Sequence, residues 1–303
     1  MIFNWGGLPK LQGTVITGQT SYEILAKEFS SNPIIVLKKN QKNLKSLKLK
    51  AEEIKEGPLI AIGGGSIIDS VKVLSNNLDM KWISIPTALS HDGIASNKIS
   101  LEDYTGNSRP PIAVFGVKSV LEKNELNKMG LGDIFSKYSS LADWKLSCEK
   151  QGEEWSRENH ELILQSLKIC EEGDKQLFKA LCLLGMSINR FKNSRPTSGS
   201  EHMVAHLIKT GQHGFKVAIA SLFILKVFER AGLDSFTLIH SKDLRKKMEE
   251  KKLPTTLDEI GISRKDFCSA VEKTSKLKDK WGILNEIPLK TDEINRIVES
   301  LGI

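Results

Sequence analysis

Apolar runs at residues 13–17, 33–37, 58–62, 81–85 and 111–115 set the pattern of the first third of the chain. They read as strands. Each of the first three is followed by a helix-like stretch, the pattern of a parallel sheet with crossover helices. After Pro110-Pro111 and the run they open, the strand pattern stops, and beyond about residue 118 the apolar spacing is helical. Leu177, Leu181, Leu184 and Ile188 mark one helix stripe, whereas 217–228 is apolar nearly all round, as in a buried core helix. That run is too short to span a bilayer. The chain thus reads as α/β in residues 1–118 and all-helical in 119–303, with the boundary near 116–124 and no internal repeat or low-complexity linker.

Three segments carry candidate chemistry. Residues 58–72 form an apolar run that ends in Gly63-Gly64-Gly65-Ser66 and continues with helical spacing through Asp69 and Lys72. Glycines there let backbone approach a ligand, and the free N–H groups of a first helical turn favour a phosphate. The spacing lacks the third glycine of the dinucleotide fingerprint, so a plain strand-to-helix turn stays open. Asp69 either faces a nucleotide or forms an i, i+3 pair with Lys72 on an exposed face. The second segment runs from Ile83 through Thr87 and Ser90-His91-Asp92 to Ser96, a strand end followed by a polar loop, where α/β proteins keep their chemistry. A capped polar turn has the same composition. The third, Gly199 to His206 followed by His213-Gly214, gathers three of six histidines. On a helix, His202 and His206 share a face and could ligate a metal, or could form a solvated pair.

Taken in order, these segments resemble the iron-containing alcohol dehydrogenase superfamily, and most closely its glycerol-1-phosphate dehydrogenase branch. The resemblance spans nearly the whole chain. It rests on Gly63-Gly64-Gly65 with Asp69 and Lys72, the string from Ile85 through Ser90-His91-Asp92-Gly93 to Ser96, Gly132-Asp133-Ile134, Asp143-Trp144, Ser198 through His202, and His213-Gly214. It implies a Rossmann-like N-terminal domain followed by a helical metal- and substrate-binding domain, the dehydroquinate synthase-like fold. It further implies that Asp133, His202 and His213 hold one divalent ion, usually zinc in this branch, with a position left open for Lewis-acid work. Asp92, His206 and Asp133 would contact substrate. Gly63, Gly64, Gly65, Ser66, Ile67, Ile68 and Asp69, with Thr87, Ala88, Leu89, Ser90 and Ser96, would line NAD or NADP.

The implied reaction is reversible reduction of dihydroxyacetone phosphate to sn-glycerol 1-phosphate for archaeal-type phospholipid backbones, by a homo-oligomeric enzyme. No carboxylate stands in Thr17-Gly18-Gln19-Thr20, and Lys38 and Lys39 end the second strand, so NADPH should be accepted. Departures from the family include only ten residues between His202 and His213, Phe215-Lys216 where polar or acidic residues are common, Gly116 in place of Asp, and Lys280-Trp281-Gly282 in place of Arg-Tyr-Thr. The alternatives are a polyol dehydrogenase without phosphate recognition, a dehydroquinate-synthase-like lyase, in which Glu usually replaces Asp133, and a non-catalytic protein on this scaffold.

The remaining composition narrows partners. Four cysteines, at 148, 170, 182 and 268, show no C-x-x-C spacing, which disfavours a disulfide framework. With no basic, apolar leader after Met1, the expected setting is cytoplasmic. The net charge of +7 is spread over lysine-rich helical stretches mixed with Glu, a solvated surface rather than a nucleic-acid site. Such a field still helps gather anionic substrates.

Overall fold

The structure, a computed structural model, describes residues 1–277 and 280–303. Strands β1 (Ile2–Gly6), β2 (Thr14–Gly18), β3 (Ile34–Leu37), β4 (Leu59–Gly63), β5 (Trp82–Pro86), β6 (Lys98–Ser100), β7 (Thr105–Asn107) and β8 (Ala113–Val117) all lie in the first part of the chain. Six of them form a parallel sheet in the order β1-β8-β5-β4-β2-β3, and β6 and β7 form a separate antiparallel pair. Strands β2, β4 and β5 are buried along their whole length, which explains why none of them carries a charged residue. The expected strands all appear, whereas β1 and the β6-β7 pair were not foreseen.

Helices α1 (Gln19–Ile24), α2 (Leu44–Ala51), α3 (Gly65–Leu78) and α4 (Lys118–Leu121) complete this region. They are followed by α5 (Asn127–Phe135), α6 (Lys137–Gln151), α7 (Arg157–Ile169), α8 (Asp174–Phe191), α9 (Ser200–Leu207), α10 (His213–Arg230), α11 (Ser241–Glu250), α12 (Arg264–Thr274), α13 (Ile283–Glu286) and α14 (Thr291–Leu301). No helix among the described residues is long and apolar enough to cross a membrane. All four cysteines are unbridged.

The chain divides into two compact units, Met1–Gly130 with Lys168–Asn193, and Leu131–Leu167 with Ser194–Ile303. The boundary drawn at 118 from the sequence therefore falls inside the first unit, and α8 belongs to that unit despite its position in the chain. Specific contacts hold it there. Trp5 and Phe178 meet at 5.5 Å between ring centroids, Asn189 accepts from the Asn97 N–H, and a Cβ on Gly185 would stand 2.6 Å from that of Ala95. Gly116 has a packing reason as well, since Trp5 and Phe178 fill the space its side chain would take. The second unit is helical throughout its described residues, with α10 buried along Val217–Leu225 at its core.

Candidate active site

In the first unit, β4 runs straight into α3 through Gly63-Gly64, and no side chain caps the helix start. The turn tolerates nothing larger than glycine at two points. A Cβ on Gly63 would lie 2.7 Å from the Ile67 Cβ, and one on Gly65 would lie 2.2 Å from the His91 Nε2. His91 is fixed in turn, because its Nδ1 accepts from the Gly93 N–H at 3.0 Å. The backbone of the glycine turn and the string at 87–96 are thus held together in one place, as a dinucleotide site requires.

The individual residues divide by role. Ser66 is exposed at the first turn of α3, where Lys42 Nζ stands 3.2 Å from its hydroxyl. Ile67 and Ile68 are buried core side chains, so only their backbone can face a ligand. Asp69 is buried rather than exposed. Lys72 Nζ donates to its Oδ1 at 2.8 Å and the Ser100 N–H to its Oδ2 at 3.2 Å, and Lys72 also donates to the Lys98 carbonyl. The pair braces α3 against β6, and both oxygens of Asp69 are engaged internally. Thr87 continues β5, its N–H donating to the Gly63 carbonyl at 3.1 Å, while the Leu89 N–H donates to Asn127 Oδ1. Ala88 and Leu89 are buried, Ser90 and Asp92 half-buried, and the buried Ser96 hydroxyl has no hydrogen-bond partner among the described residues.

The second unit assembles the proposed ligands. Asp133 near the end of α5, His202 in the first turns of α9 and His213 at the start of α10 place one ligand atom each within 4.8 Å of one another. Gly132 permits this, because a Cβ there would strike the Gly214 carbonyl at 2.6 Å, and the close approach sets Asp133 beside His213. His202 Nε2 lies 3.4 Å from Asp133 Oδ1 and His213 Nε2 lies 4.0 Å from the same atom. Ligand atoms about 2.1 Å from a tetrahedral ion stand about 3.4 Å apart. The donor set therefore fits a divalent ion with only a small closure of His213, and two imidazoles with one carboxylate suit zinc or another first-row metal.

Two buried charges around these ligands escaped the sequence reading. Glu201 is fully buried and its Oε1 stands 2.6 Å from His202 Nδ1. Ser139 and Ser140 hydroxyls and the Gly199 N–H also donate to it. Burial opposes its ionisation, yet the hydrogen bond and charge of His202, with those other donors, lower its pKa to about 2. An ionised Glu201 makes Nδ1 of His202 the donor and turns the Nε2 lone pair toward Asp133. Lys137, also fully buried, donates to Asp133 Oδ1 at 3.0 Å. Burial alone would raise the Asp133 carboxyl, but the positive field around it, that of the Lys137 ammonium foremost, holds it well below the usual carboxylate range. Asp143 acts one step further out, accepting from the Ser200 N–H at 2.6 Å and the Ile283 N–H at 2.7 Å, and so anchors the start of α9.

His206 sits one turn beyond His202 with its ring 5.7 Å from that of His213. The residue reaches solvent, but crowding of the ring by protein, then electrostatic repulsion from the His202, Lys280 and Lys216 side, lowers its pKa to about 4. It is neutral at physiological pH. Between about pH 6.5 and pH 4 the unfolded chain binds a proton at this ring that the folded chain does not, so stability falls as pH drops through that window. A metal-free His206→Gln protein should lose this pH dependence. Its melting temperature, relative to that of the parent, should rise on acidification from pH 6.5 to 4; parallel curves would mean that the ring titrates as in the unfolded chain.

The iron-containing alcohol dehydrogenase family matches residues 11–123. A glycerol-1-phosphate dehydrogenase (NAD(P)+) of Haloquadratum walsbyi is 31% identical, covering 75% of this chain and 70% of its own. The chain belongs to the glycerol-1-phosphate dehydrogenase branch of the iron-containing alcohol dehydrogenases. Another relative of that name, from Pyrococcus abyssi, is 28% identical over 95% of this chain and 87% of its own. Among solved structures, a probable glycerol dehydrogenase of Sinorhizobium meliloti shares the fold with a TM-score of 0.73 at 13% identity, over 99% of this chain and 95% of the other.

Proposed function

We propose that the chain reversibly reduces dihydroxyacetone phosphate to sn-glycerol 1-phosphate with NAD(P)H, supplying the backbone of membrane phospholipids, as a cytoplasmic homo-oligomer with one zinc ion per subunit. The observation that carries this reading is the convergence of Asp133, His202 and His213 in a chain of this branch. Bound there, a divalent ion supplies Lewis-acid polarisation of the ketone oxygen. NAD(P)H supplies the hydride for the secondary carbon.

The chain's own residues do the rest. Gly63 to Ser66 present backbone and a helix start to the dinucleotide phosphates, and Gly65 makes room for the His91 ring beside them. His202 and His213 enter with their Nε2 atoms on Asp133, and Glu201 keeps His202 in that tautomer. His206, neutral and exposed, relays a proton, giving its ring N–H proton to the alkoxide as the other ring nitrogen takes one from solvent water, and Asp92 holds a substrate hydroxyl. Lys216 and Lys280, whose charges both reach His206, are set to receive the substrate phosphate. Lys280 is already oriented by the Ser194 and Ser198 hydroxyls at 2.9 and 2.6 Å, and Lys216 by the Ile208 carbonyl at 2.7 Å.

The test follows NADPH and NADH oxidation with dihydroxyacetone phosphate and, separately, free dihydroxyacetone, in zinc-loaded and chelator-treated protein. The expected result is oxidation with the phosphorylated ketone alone, lost on chelation and restored by zinc, giving the sn-1 product. Equal rates with the free ketone would replace this reading by a polyol dehydrogenase. No net oxidation at all would point to a lyase or a non-catalytic protein.

A further inference from the structure

The ends of β2 and β3, neighbours in the sheet with Gly18 opposite Leu37, carry an unusual set of groups. Strand β2 exits through Gly18-Gln19-Thr20, and β3 exits through Lys38-Lys39-Asn40-Gln41-Lys42-Asn43, with no acid in either stretch. Dinucleotide sites that favour NAD place a carboxylate near such a strand end to hold the ribose hydroxyls, and that carboxylate repels a 2′-phosphate. Here the space beside the strand end is occupied by an ammonium. Lys42 Nζ stands 3.7 Å from where a Cβ on Gly18 would be, and 3.2 Å from the hydroxyl of Ser66 on the first turn of α3. The Lys42 contact is to a hydroxyl, whereas other surface lysines of this chain, such as Lys50 with Glu53 and Lys128 with Glu125, pair with carboxylates.

From this placement we propose that Lys42 reads the 2′-phosphate of an NADP-type dinucleotide and makes NADPH the preferred cofactor. The inference rests on the dinucleotide reading of the glycine turn. Gly18 leaves room for the phosphate, Ser66 fixes the ammonium beside the helix start, and Lys39 adds a second positive charge at the same strand end. Burial first, and the Lys39 charge second, lower the pKa of Lys42, so an anion between the two lysines would relieve the repulsion. A lysine acts here as a point charge, which suits a phosphate monoester.

Titration calorimetry of the full chain with 2′,5′-ADP and with 5′-AMP tests this without any substrate. The parent protein should bind 2′,5′-ADP the more tightly. Lys42→Ala should weaken 2′,5′-ADP by about 10–100-fold, the worth of one charge-assisted hydrogen bond, while leaving 5′-AMP unaltered. Lys42→Arg should restore the preference. Equal losses for both nucleotides would assign Lys42 to the phosphate they share and overturn the proposal, as would no change with either. If the parent protein binds neither nucleotide, nor NAD(P)H, the dinucleotide reading itself falls and takes the proposal with it.

Discussion

A His213→Ala chain is expected to fold, to bind zinc far more weakly than the parent, and to lose turnover by at least about 10²–10³-fold, the scale set by removing one electrostatic stabiliser of a developing oxyanion. The effect on folding should be small because His213 is the first residue of α10 and its side chain is 36% exposed, while the buried face of that helix begins beyond it. The loss of metal should be large because two protein ligands, Asp133 and His202, would remain. His202→Ala removes a ligand too, but it also strips the buried Glu201 of a partner at 2.6 Å, which costs stability of about 1–3 kcal/mol for the orphaned group. The pair of variants separates the two roles. Metal content after dialysis and the melting temperature should show His213→Ala as metal-poor but stable, and His202→Ala as metal-poor and destabilised. A His213→Ala protein with full zinc content and full activity would remove His213 from the ligand set.

What the sequence discloses follows from which physical signals survive in one dimension. Strands β2, β4, β5 and β8 are buried enough to leave short uncharged runs centred on apolar residues, which announce them. Strand β1 is an edge strand with Ile2 66% exposed, and β6 and β7 have three residues each, too short to carry a pattern. The stripe on α8 declares that one face is buried, but not against what; only Trp5, Ala95 and Asn97 show that its partner is the first unit. The candidate ligands were legible through resemblance to a family. Their surroundings were not, because Lys72, Lys137, Asp143 and Glu201 are charged residues that a sequence assigns to solvent and the fold buries. Asp69 shows the converse, a carboxylate in the candidate nucleotide-binding string whose oxygens are committed to Lys72 and Ser100.

Glu201 offers the second large effect, since it joins metal affinity to the integrity of α9. Four donors converge on its carboxylate from three directions: Ser139 and Ser140 on α6, the Gly199 N–H before α9, and His202 itself. Glu201→Ala would leave these groups unpaired in a buried space, and with a cost of about 1–3 kcal/mol for each orphaned group it should lower stability severely. Glu201→Gln keeps the volume and is the informative change. Its amide oxygen can still accept from His202, but without the negative charge that makes Nε2 a strong donor to a cation, and its NH₂ group meets hydroxyls that were donating. Zinc affinity should fall about 10–100-fold, as for the outer partners of ligating histidines generally. A competition titration against a zinc chelator reads that affinity, and activity at saturating zinc should return most of the way toward the parent value because His202, Asp133 and His213 all remain. That recovery distinguishes a positioning residue from a ligand: a Glu201→Gln protein whose zinc affinity matched the parent would leave Glu201 as a structural tie between α6 and α9, with no part in holding the metal.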